Sequence, residues 1–174
     1  MGRQRRAIST ESVGLPQSKT LGLGNRVKLE FDLVPGSSWG NNLRNMLGRT
    51  EWDKLRAQML AERGNKCAVC GSSERLQCHE VWAFDDKKRV QSLRGFQASC
   101  SLCHLASHFG LAETLAQQGH VNLENVIAHF LKVNRISKEQ FETEKTKAFA
   151  LWRKRSEREW KIDFGEWAKL LPNA

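Results

Sequence analysis

The sequence predicts an α+β protein. A small centre of short strands and turns, rich in cysteine and histidine, lies between an N-terminal strand with a helix and a C-terminal run of helices. Three observations predict it. Residues 67 to 103 hold two Cys-x-x-Cys pairs among short turns, residues 27 to 34 alternate apolar and polar side chains, and the chain beyond Cys103 repeats apolar side chains at helical spacing. With 174 residues, 40% of them apolar and 27% charged, the chain can bury one modest core with appendages.

Residues 1–26 are basic, polar and rich in Gly and Ser/Thr, and are expected to form a mobile tail. Residues 27–64 form an N-terminal unit. Val27 to Val34 reads as a strand ended by Pro35-Gly36, and Thr50 with Asp53 resembles a capping box for a helix carrying Trp52, Leu55, Met59 and Leu60, which ends near Gly64. Residues 65–118 form the centre, with strands near Leu76 to Trp82 and Gly95 to Ser99 and a helix from about Cys103 to Gln118. Residues 119–174 form a basic helical extension. One helix starts at Asn122, and a longer one, capped by Ser137 and Gln140, runs to about Trp160. Its face of Phe141, Ala148, Phe149 and Trp152 is expected to pack, leaving Arg153, Lys154, Arg155 and Arg158 exposed.

Net charge is +9, unevenly placed: +5 over residues 1–28, zero over 29–131, +5 over 132–161 and −1 thereafter. Two basic segments around a neutral middle suggest two contacts for a polyanion, with Arg153, Lys154, Arg155 and Arg158 as the nucleic-acid-binding candidates. No apolar run approaches the roughly 18 residues of a membrane span, and the N-terminus lacks the apolar stretch of a secretory signal. The expectation is a cytoplasmic protein without a membrane partner, in which clustered thiols hold metal instead of pairing.

Cys67-Ala-Val-Cys70-Gly71 and Cys100-Ser-Leu-Cys103 have the two-residue gap that lets both sulfurs of a knuckle face one ion. Four thiolates close a tetrahedral shell, so this zinc is expected to be structural. Between and beyond the knuckles lie Cys78-His79-Glu80 and His104-Leu-Ala-Ser-His108. One helical turn separates His104 from His108, so both can reach a single metal, with Cys78 as a further ligand from the strand. On a regular strand His79 points away from Cys78, although a bulge could let both face the site. Glu80 is expected to be solvated, His120 and His129 to stand apart, and Trp82 and Phe84 to serve the core more than base stacking.

The order of knuckle, His on a strand, knuckle followed at once by His, and a second His four residues later resembles the HNH endonucleases with their ββα-metal fold. The segments Phe31-Asp-Leu-Val-Pro35, Cys78-His79-Glu80-Val81-Trp82 and Phe149 to Trp160 also resemble a group of bacterial and phage HNH proteins of uncharacterised function. The resemblance covers residues 27 to 168 and implies a four-cysteine zinc subtype. It implies His79 as general base, and His104 and His108 as ligands of a catalytic divalent metal (Mg²⁺, Mn²⁺, Ni²⁺ or Zn²⁺). Cleavage would leave a 5′-phosphate and a 3′-hydroxyl.

Two departures bear on this. Cys78 stands where the family has Asp or His, which would favour zinc or another transition metal over magnesium. No Asn lies between His79 and His104 to orient the base; its place falls near Gly95, with Gln91 and Gln97 as the nearest substitutes. The function expected is a metal-dependent DNA endonuclease or nickase acting on double-stranded DNA, as a homodimer or in a larger nucleic-acid-processing complex. The alternatives are a zinc-stabilised nucleic-acid-binding or interaction protein with an inactive site, and a redox or metal sensor built on Cys78.

Overall fold

The computed structural model describes residues 28–172. The expected basic tail and the first residue of the expected N-terminal strand lie outside them. The described chain is α+β: six α-helices, two 3-10 turns and a three-stranded sheet in the order β1-β2-β3.

The segment from Lys28 to Val34, which its alternation predicts to be a strand, is not one: it begins with a bend at Lys28 and Leu29 and has no regular structure to Val34. Its backbone is tied elsewhere. The Leu29 N–H donates to the Asn134 side chain (2.8 Å), which donates back to the Leu29 carbonyl (2.9 Å), and the Asp32 N–H donates to the Ser107 carbonyl (2.8 Å). A 3-10 turn at Gly36–Ser38 follows, then α1 (Leu43–Leu47) and α2 (Arg49–Glu62). The helix expected from Thr50 begins at Arg49, with Gly48 as its N-cap and no capping box. Gly48 has φ 74° and ψ 170°, a conformation essentially reserved for glycine, and it breaks the chain between α1 and α2.

Strands β1 (Gln77–Asp85) and β2 (Val90–Ser99) form a longer antiparallel hairpin than expected, because Asp85 stabilises the turn by accepting the Lys87 and Lys88 N–H groups. A register shift between Val81 and Trp82 marks a bulge beside Gly95. The next helix begins at Ser101, not at Cys103, because the Cys100 sulfur caps it by accepting the Cys103 N–H (3.5 Å). The single expected helix is two: α3 (Ser101–Ser107) and α4 (Phe109–Gln117), broken at His108. Helices α5 (Leu123–Asn134) and α6 (Lys138–Ser156) match the expected periods. Ser137 and Gln140 form both bonds of a capping box. The chain leaves α6 four residues early to add β3 (Lys161–Asp163), parallel to β2, then a 3-10 turn at Gly165–Leu170.

The hairpin separates two cores. On one side, Phe31 stacks on Phe130 (4.7 Å between centroids) and meets Phe109 and Phe141 edge-on, joining α4, α5 and α6 around the knuckles. On the other, Cys78, Leu93, Phe96 and Ala98 pack on α1, α2 and Trp167.

Candidate metal centres

The four knuckle cysteines are brought together, every sulfur within 4.8 Å of the others. Gly71, at φ 79°, closes the first knuckle by donating its N–H to the Cys67 carbonyl (2.9 Å), and the Ala68 N–H ties the knuckle to β2 through the Ala98 carbonyl (2.8 Å). The second knuckle is the start of α3. All five cysteines are unpaired thiols. Burial raises the Cys67 thiol, but N–H groups from Cys70, Cys100 and Val69 converge on it and bring it down to about 7. Burial pushes Cys100 up to about 11 and drives Cys103 up as well, with the charge of neighbouring sulfurs adding to both. Four thiolates this close ionise together only around a cation, so the donor set fits zinc.

The second group is His79, His104 and His108, with one nitrogen of each within 4.8 Å of the others. Ring centroids are 5.4 Å apart for His79 and His104, 4.8 Å for His79 and His108, and 4.7 Å for His104 and His108. His79 is therefore as close to the helical pair as they are to each other. It occupies the position expected for Cys78 as a third ligand. Cys78 points to the opposite face of β1, inside the second core, and burial raises its thiol to about 12. The bulge lies beyond both residues, so the ordinary alternation of the strand decides which one faces the histidines.

Asp32 joins this group from the N-terminal segment, which the sequence marks only by the resemblance of Phe31 to Pro35, without a role for Asp32. Its carboxylate lies 3.2 Å from His79 Nε2, and its backbone carbonyl lies 2.9 Å from His108 Nδ1. Burial would raise the Asp32 carboxyl, but the hydrogen bond from His79 and the charges of the three imidazoles hold it below the usual carboxylate range. With His108 Nδ1–H donating to that carbonyl, His108 Nε2 carries the lone pair. Burial, and then the neighbouring imidazoles, depress His108 and bring His104 down to about 3. Depression of His104 and His108 favours the neutral imidazole, the form that binds a divalent ion, so these two with His79 beside them also fit a metal, and three protein ligands would leave a position open.

The histidines line a cavity of about 290 Å³ together with Trp39, Arg44, Glu80 and Gln91. Glu80 is not solvated as expected. One of its oxygens accepts the Arg44 N–H (3.1 Å), the other is buried without a partner, and burial raises its carboxyl. Gln91, 1% exposed and also lining the cavity, has a buried side-chain oxygen without a partner. Gln97 pairs directly across from His79 and lines a second groove on its far side with Asp32 and Arg155.

Other expectations divide. His129 does not stand apart: its Nε2 lies 3.1 Å from Cys103 Sγ, placing an imidazole against the four-cysteine group. His120 is exposed. Trp82 packs on Phe164 against the second core, whereas Phe84 is half-buried between Trp160 and Arg155 and lines the second groove. Arg153 and Lys154 are exposed and Arg158 is half-buried. Arg155 differs, since it grips Asp86 with two hydrogen bonds (3.0 and 2.7 Å) and covers Phe84 at 4.4 Å, so its charge is already paired. No described helix is long and apolar enough to cross a membrane. Comparison of the chain with family models, with curated proteins and with solved structures gave no match.

Proposed function

We propose that the chain is a metal-dependent HNH-type DNA endonuclease or nickase that hydrolyses phosphodiester bonds, with His79, His104 and His108 at its centre. The observation that carries this reading is the trio of imidazoles at a cavity wall, fixed from behind by Asp32 and separate from a closed four-cysteine site. A divalent ion held there would supply the cation that steadies charge on the scissile phosphate and the leaving oxygen. With Cys78 outside the group the donors are all nitrogen, which suits zinc or nickel better than magnesium or manganese.

An N–H at His79 Nε2, 3.2 Å from the Asp32 carboxylate, would leave the lone pair of His79 on Nδ1. That lone pair has one of two uses: it takes the proton from the attacking water, or it serves as the third donor to the ion. Either way Asp32 performs the orienting task that the resemblance assigns to the missing Asn. Arg153, Lys154 and Arg158 would hold the backbone of double-stranded DNA without reading its sequence. A double-strand cut from one centre per chain would need a homodimer or two successive nicks.

The test is nicking of supercoiled plasmid by wild type and His79→Ala in zinc, nickel, manganese and magnesium, with metal content measured on the same samples. Cleavage lost with metal retained makes His79 the base; loss of both makes it a ligand. DNA binding by the wild type without cleavage in any metal would overturn the nuclease reading in favour of a zinc-stabilised nucleic-acid-binding protein.

A further inference from the structure

The cavity that holds the histidines has a rim whose two most prominent side chains have no use inside the fold. Trp39 is 64% exposed, the most exposed large apolar side chain among the described residues. It does not sit on a loose loop. The Trp39 N–H donates to the Gly36 carbonyl (3.2 Å), and neighbouring Ser38 is 1% exposed. The Gly36 N–H donates to Ser156 Oγ on α6 (2.9 Å), and the Ser37 hydroxyl donates to the Arg158 carbonyl. On the other side the Gly40 carbonyl accepts from the Asn45 side chain (2.9 Å), while Asn42 caps α1. A tryptophan held exposed on backbone anchored at both ends keeps a large apolar face in water, as binding surfaces do.

Arg44 projects from α1 on the same rim. Among the described residues it is the one Lys or Arg lining this cavity, and no described carboxylate lies within 4.0 Å of it; Glu80 meets its backbone N–H instead. Glu80 and Gln91, which also line the cavity, each hold a buried side-chain oxygen without a protein hydrogen-bond partner.

We propose that Trp39 and Arg44 seat a single-stranded nucleotide at the histidine cavity, Trp39 stacking on its base and Arg44 holding its phosphate. A stacked duplex presents base edges and hides base faces, so a tryptophan platform selects a nucleotide that is unpaired or lifted from the helix. The inference deepens the nuclease reading and rests on it for the role of the phosphate, but binding can be measured without cleavage.

The test is fluorescence anisotropy of fluorescein-labelled oligothymidylate and of a duplex of equal length, without added divalent metal. Full-length wild type, Trp39→Ala, Trp39→Phe, Arg44→Ala and Arg44→Lys are compared at matched zinc content per chain. Trp39→Ala is expected to weaken single-strand binding by about 5- to 150-fold, the range for loss of one stacked base, while Trp39→Phe keeps most of it. Arg44→Ala is expected to weaken binding and to lower the salt dependence by about one phosphate contact, with Arg44→Lys intermediate. Wild-type affinity for oligothymidylate in both alanine variants, or no single-strand binding by the wild type, would overturn the inference. Binding that depends on both residues, without cleavage in any metal, would leave the inference standing and remove the nuclease reading. Cleavage with binding indifferent to both would do the reverse.

Discussion

Asp32 touches two of the three imidazoles with two different groups, its carboxylate at His79 and its carbonyl at His108. Only the first depends on the side chain. Asp32→Ala should therefore cost about 10- to 100-fold in affinity for the second metal or in nicking rate, the usual loss when a partner behind a ligand is removed, while Asp32→Asn should cost less. Equal affinity and rate in Asp32→Ala would remove its role. Cys78 gives the opposite prediction. A buried thiol raised to about 12 is almost wholly protonated at neutral pH, and the thiolate is the form that reacts. In zinc-loaded protein Cys78 should alkylate with iodoacetamide at least about 100-fold more slowly than a free cysteine at pH 8. Its rate should rise about tenfold per pH unit toward 12. Fast labelling at pH 8 would revive a redox role. The four knuckle cysteines and the three histidines were legible in the sequence because metal ligation imposes spacing that survives as a pattern. Asp32 and His129 were not, since each reaches its centre across the fold: the segment Phe31 to Pro35 carries only a resemblance that gives Asp32 no role, and His129 stands in no ligand spacing.

At the scale of elements, the sequence was readable where a helix carries its own caps and was misread where tertiary partners decide. Ser137 with Gln140 and Asn122 at α5 mark true starts. The alternation of residues 28 to 34 predicts a strand that does not form, and Asn134 and Ser107 take hydrogen bonds of this backbone instead. Periodicity across residues 103 to 118 cannot register one residue turned out of helical geometry, as His108 is at φ −92° and ψ 56°. Gly48 carries a prediction of its own. No atom lies within 4 Å of where its side chain would stand, so space is not the constraint. Its backbone conformation is, and Gly48→Ala should destabilise the protein by about 1–3 kcal/mol in a urea melt. Because α1 carries Arg44, the same variant should weaken oligothymidylate binding as well. An unchanged unfolding midpoint would show that the break between α1 and α2 relaxes without strain.

For the whole molecule, one hairpin and the helix after it serve both metal groups. The four-cysteine group fixes where β2 ends and α3 begins, and α3 then presents His104 and His108 toward His79 on β1. Charge follows the same division. The described surplus of cations lies on α6 and its flanks, with Arg155 removed from it by Asp86, while the histidine cavity keeps a single cation at its rim. The central claim is that the histidines form a second metal site independent of the cysteines. The most direct test is the metal content of purified wild type and His104→Ala after equilibration with zinc and removal of the excess. The account predicts two ions per chain in the wild type and one in His104→Ala, with the four-cysteine zinc retained. One ion in both, or two in both, would contradict it.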